Sequence, residues 1–112
     1  MVGYGKEKTM ISIDSVSNER IKSAVKIASS NKTRKQTGMF FLEGLRLCRD
    51  AAVTGYEIDS FFVSRRAYEK FTEDADFIAS KAHSSFIVSD LVENKLGVTQ
   101  TSQGFYCLCR IR

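Results

Sequence analysis

With 112 residues, 43% of them hydrophobic, the chain is sized for one domain that buries roughly two-thirds of its unfolded surface and needs neither metal nor disulfide to stand. No apolar run is long enough to span a bilayer, and the opening MVGYGKEKTM lacks an apolar signal core, which argues for a cytoplasmic protein with no membrane partner. The net charge is +4, and it is one-sided: residues 1–49 carry ten Lys/Arg against four Asp/Glu, residues 50–112 seven against nine.

In chain order, residues 1–12 read as a flexible leader and 13–112 as the folded domain. Asn18 is a helix N-cap with Glu19 in the first turn, where the helix dipole favours an anion. Ile21, Ala24, Val25 and Ala28 then follow at helical spacing. Lys22 and Lys26, one turn apart and off that stripe, make a basic ridge. Residues 29–38 (SSNKTRKQTG) have no large apolar side chain and read as an exposed loop. Met39–Leu42 is a buried strand, after which Gly44 turns the chain into a second helix. There Leu45, Cys48 and Ala52 face inward and Arg46, Arg49 and Asp50 outward, and Gly55 supplies a left-handed cap.

Ile58–Val63 predicts a further strand. Tyr68, Phe71, Ala75, Ile78, Ala79 and Ala82 share a helical face that Thr72-Glu73-Asp74 is able to break in two. Phe86–Val88 is a short strand, and Asp90 with Glu93 offers a capping box for a helix closed by Gly97. After the polar turn TQTSQG comes a last strand, Phe105–Ile111. Short apolar strands between amphipathic helices predict an α/β sandwich with helices on both faces.

An inventory for catalysis returns little. His83, the one histidine, lies at a predicted helix end with no nucleophile context, and no phosphate-binding glycine loop occurs. Glu73, Asp74 and Asp76 read as a solvated face. Of the three cysteines, Cys107 and Cys109 stand at i, i+2 in an apolar strand, which suits core thiols; zinc would want about four ligands.

Binding is better supported. One-sided basic charge points to a polyanion, nucleic acid or membrane surface, or to a solvated face. The first helix offers lipid only Ile, Val and Ala, which favours nucleic acid. Lys32, Arg34, Lys35 and Thr37 fall in one stretch whose guanidinium, ammonium and hydroxyl groups suit RNA phosphate and 2′-OH. Lys22, Lys26, Arg46 and Arg49 extend that surface if the first two helices lie side by side. The amides after Glu43-Gly44 suit an anion.

These residues also carry a family resemblance. Ser15, Asn18, Ile21 and Lys22, then Arg34 and Lys35, then Gly38, Phe40, Glu43 and Gly44, and finally Thr101-Ser102-Gln103-Gly104 stand in the order found at the start of SpoU (TrmH-like) RNA 2′-O-ribose methyltransferases. The chain resembles their N-terminal substrate-binding domain from about Ile11 to Ile111, with Glu19 and Ser102 where proline is common. The resemblance implies a three-layer α/β/α fold similar to ribosomal proteins that bind kinked RNA, and ribosomal or transfer RNA as partner. It further implies that S-adenosylmethionine, catalysis and most of a homodimer interface belong to a C-terminal knotted domain outside these residues. This chain alone is then expected to be inactive and cofactor-free. Arg34 and Lys35 are the first candidates for RNA contact, then Lys32, Thr37, Lys22, Lys26 and Arg46. Glu43 either shapes the basic loop or receives a 2′-OH, and Gln103 either contacts RNA or closes its turn. Gly38, Gly44 and Gly104 serve backbone geometry. The rival classes are a free-standing RNA-binding module of the ribosomal-protein type and an interaction domain for an acidic protein.

Overall fold

The protein, seen in a computed structural model, is described over residues 10–97 and 103–112. Its elements in chain order are β1 (Ile11–Ile13), α1 (Glu19–Ser29), α2 (Asn31–Thr37), β2 (Met39–Glu43), α3 (Leu45–Val53), β3 (Ile58–Ser64), α4 (Arg65–Lys70), α5 (Thr72–Lys81), β4 (Ala82–Val88), α6 (Asp90–Leu96) and β5 (Phe105–Arg110). The leader expected over 1–12 loses Ile11 and Ser12 to β1, which pairs parallel with β4. Residues 1–9 of that leader, and Thr101 and Ser102 of the polar turn, lie outside the described residues.

One five-stranded sheet forms in the order β1-β4-β3-β5-β2. β4 is parallel to β1 and β3, while β5 is antiparallel to both β3 and β2. Four strands therefore run one way, with β5 inserted against them. Strand alternation divides the core into two layers. Phe61, Val63, Phe105, Cys107 and Cys109 point to one face and are covered by Cys48, Ala51 and Ala52 of α3, Ala67 of α4, and Ala75, Ile78 and Ala79 of α5. Phe62, Tyr106, Leu108, Phe86 and Val88 point to the other, under Ile21, Ala24 and Ile27 of α1 and Val92 and Leu96 of α6. This is the expected three-layer α/β/α sandwich.

Local chemistry sets the boundaries. The Asn18 side chain accepts from Arg20 N at 2.8 Å, as an N-cap should. Gly55, at φ +83°, ends α3 with Tyr56 N donating to Ala51 O, the left-handed closure expected of it. The long helix breaks at Phe71, beside the polar cluster. Three expectations are corrected. Strand β4 begins at Ala82, so His83 lies in a strand, exposed, with Nε2 3.0 Å from Glu57 Oε2. The cap of α6 is Ser89, whose hydroxyl accepts from Val92 N, so Asp90 and Glu93 form no capping box and Glu93 turns inward instead.

The third correction concerns residues 29–38, which are not a loop: Asn31–Thr37 is helix. Ser30 Oγ accepts from Thr33 N at 3.1 Å, and Gly38 in the left-handed region closes the last turn by donating to Arg34 O. No residue of α2 is buried, so hydrophobic periodicity had nothing to register. Caps define this helix, not a stripe.

Candidate nucleic-acid interface

Because four strands share a direction, the sheet has a carboxyl rim, where α1, α3, α4 and α6 begin, and an amino rim, where α2 leads into β2. The residues singled out in the sequence divide between these rims. They do not form one patch.

At the amino rim, α2 folds back across the end of α1. Lys32 and Lys35 are exposed on α2, and Lys26 is exposed in the last turn of α1. None of the three makes an ion pair among the described residues. Lys22, a turn earlier, lies 3.5 Å from Glu19. Arg34 is half-buried: its Nη1 donates to Ile27 O at 2.8 Å and Ala28 O at 3.1 Å, and its Nη2 to Asn31 Oδ1 at 3.3 Å. Those carbonyls belong to the last turn of α1, where backbone acceptors lack helical partners. Thr37 Oγ1 donates to Thr33 O at 2.8 Å. Arg34 and Thr37 are thus tied into the corner, and the lysines face outward.

At the carboxyl rim stand Glu43, Gly44, Arg46, Gln103 and Gly104. Gly44 N donates to Phe105 O at 2.8 Å, and Leu45 N, the first amide of α3, donates to Gln103 Oε1 at 3.0 Å. Gln103 therefore occupies one of the α3 amides that suited an anion. Gly104, at φ +81°, joins this lattice through its carbonyl, which accepts from Ser64 N at 2.9 Å. A Cβ there would collide with Ser64 Oγ and lie 2.8 Å from the Ala67 Cβ. A buried group that the sequence did not reveal lies beside it. Glu93, 8% exposed, accepts from the Tyr106 hydroxyl at 3.4 Å and lies 3.7 Å from Arg66 Nη2. Only its place in the amphipathic pattern of α6 hinted at an inward side chain.

The side-by-side arrangement of the first two predicted helices does not occur. Lys22 and Lys26 on α1 lie over one sheet face, and Arg46 and Arg49 on α3 over the other. Arg49 is held on α5, 3.2 Å from Asp74 and over the Phe77 ring. The cysteines are core thiols as read, all three buried. Burial, with Cys48 as neighbour, pushes the Cys109 thiol up to about 12 and Cys107 well above its usual range.

The described residues do not fit an adenosine cofactor. Their one buried side-chain polar atom without a partner is the Ser85 hydroxyl in mid-β4, and Gly44, Gly55 and Gly104 face the chain's own side chains. Nor is any helix of the described residues long and apolar enough to cross a membrane.

An α/β/α sandwich with β5 inserted between parallel strands is the fold of a substrate-binding domain of RNA methyltransferases. The chain belongs to the MRM3-like substrate binding domain family, whose model matches residues 18–107. Solved structures agree in fold. An rRNA methyltransferase from Sinorhizobium meliloti superposes with a TM-score of 0.72 at 19% identity, covering 92% of this chain and 38% of that one. An RNA 2′-O ribose methyltransferase gives 0.71 at 24% identity, covering 91% and 38%. The SpoU methyltransferase AviRb from Streptomyces viridochromogenes, in complex with AdoMet, gives 0.60 at 12% identity, covering 85% and 36%. The chain therefore spans little more than a third of the structures it matches. A comparison with curated proteins gives no significant match.

Proposed function

We propose that this chain is the RNA-recognition domain of an S-adenosylmethionine-dependent RNA 2′-O-ribose methyltransferase, gripping the backbone of a ribosomal or transfer RNA with the cations of α1 and α2. One observation carries the reading: residues 19–37 hold six Lys/Arg and one Asp/Glu, whereas residues 45–81, which supply the opposite helical layer, hold six and seven. Outward lysines without ion pairs among the described residues act as point charges for phosphate and need no base sequence. Gln103 and Glu43 shape the carboxyl rim in this reading, and Arg46 adds a cation beside it. The matched structures are an rRNA methyltransferase and an RNA 2′-O ribose methyltransferase, which supports RNA as the substrate class.

Cofactor binding, methyl transfer and homodimer formation reside in a separate C-terminal domain of a cytoplasmic enzyme, and the present chain alone is inactive. The test is RNA affinity across a salt series. Replacing Lys26, Lys32 and Lys35 with alanine is expected to lower the log-affinity against log-salt slope by roughly 2 to 2.7 units, the release of three phosphate contacts. An unchanged slope removes the α1–α2 corner from the interface. Failure of the wild-type chain to bind structured RNA at low salt favours an acidic protein partner instead.

A further inference from the structure

We infer that Arg34 is a positioning residue, not a phosphate contact: its guanidinium ties α2 across the end of α1 and so sets Lys32 and Lys35 in one cationic surface with Lys26. The inference rests on the RNA-binding reading above.

Apolar packing does not hold α2 in place. It has seven residues and none is buried. A helix that short is marginal in water, and most helical stability in proteins comes from packing an apolar face. Its direction must come from polar ties. At its start Ser30 caps Thr33 N, and at its end Ile111 N donates to Gly38 O at 2.8 Å. Between them, Arg34 is the one α2 side chain seen bonding to α1. Its Nη1 bridges Ile27 O and Ala28 O while Nη2 reaches Asn31 Oδ1. A planar fork of fixed donors can serve acceptors in several directions at once; an ammonium is a compact point charge on a flexible stem. Those carbonyls are the negative end of the α1 dipole, which further favours a cation there. A guanidinium so engaged would have to abandon orphan carbonyls to grip phosphate. Among the described residues the exposed lysines have no ion pair to abandon.

The experiment compares Arg34→Lys, which keeps the charge, with Arg34→Gln, which removes it, using poly(U) and a structured ribosomal RNA fragment as probes. If Arg34 positions the lysines, both variants lose affinity alike, by about tenfold, the order of one to two phosphate contacts. Adding Lys32→Ala and Lys35→Ala to either variant then costs no more than about twofold, because effects that act through one another are not additive. Amide exchange over residues 31–37 should quicken in both variants of the free protein while β3 stays protected. Full affinity in Arg34→Lys with loss only in Arg34→Gln would mean a direct charge contact and overturn the inference. So would a lowered melting temperature with affinity unchanged under folded conditions. The triple lysine variant separates the two readings. If it leaves wild-type affinity intact, the RNA-binding face itself is misplaced; if it weakens binding while Arg34→Lys does not, only the positioning role fails.

Discussion

The two rims of the sheet are held by different means. At the carboxyl rim the ties join residues far apart in sequence: Gly44 to Phe105, Ser64 to Gly104, Leu45 to Gln103. Glycines admit close backbone approach, and a buried carboxylate and hydroxyl fill the interior. At the amino rim the ties around α2 are mostly local, Ser30 to Thr33 and Arg34 to Ile27, and no α2 side chain enters the core. One rim is scaffold. The other displays charge on a lightly anchored helix, so changes at the first should unfold the domain and changes at the second should alter binding while the fold survives.

The largest effect should come from Gly104→Ala. Its Cβ meets Ser64 and Ala67 at a positive φ, so overpacking and backbone strain together cost about 2–4 kcal/mol. A denaturant midpoint that stays put would show that the rim yields more than its geometry implies. Next is Tyr106→Phe, which removes the hydroxyl donor to buried Glu93 and costs about 1–3 kcal/mol in urea unfolding. At the other rim Ser30→Ala deletes the cap of α2 and should cost about 1 kcal/mol locally. That loss should appear as faster amide exchange over residues 31–37 before it appears in global melting. Smallest is Lys26→Ala: stability within about 0.5 kcal/mol of wild type, with the RNA salt slope alone reduced.

The thiols give a pH test of the layer beneath α3. Burial raises the folded-state values of Cys107 and Cys109, the latter to about 12, so the protonated form is favoured in the native state. That contribution is complete below the unfolded value of about 8.5 and is lost as pH rises towards the folded one. Melting temperature should therefore fall on going from neutral to alkaline pH, and less steeply in a Cys107→Ala, Cys109→Ala variant. A thiol reagent should leave all three cysteines unmodified until denaturant is added, because only thiolates react and these are buried.

Most of the scaffold was legible because it follows periodicity. Strand positions alternate, the faces of α1 and α5 repeat at helical spacing, and Asn18 and Gly55 carry their caps in their chemistry. Three things were not. Helix α2 buries nothing, so it is written only in a serine before it and a glycine after it. Arg34, a first candidate for RNA contact together with Lys35, has its guanidinium on backbone carbonyls, and charge says nothing about which acceptor is nearer. Which helices share a layer was equally hidden. That depends on β5 being inserted between β3 and β2, a long-range pairing with no local signature.

That insertion has a consequence for the order of assembly. Strand β2 pairs with β5 and with no other strand, and Gly38, at the junction of α2 and β2, accepts its bond from Ile111. On a growing chain, β1, β3 and β4 can begin to associate while β2 still waits for a partner that has not emerged. The corner bearing Lys26, Lys32 and Lys35 is built early in sequence and closed late in time. A nascent chain lacking residues 105–111 therefore carries every one of those cations while the Gly38 end of α2 is still untied.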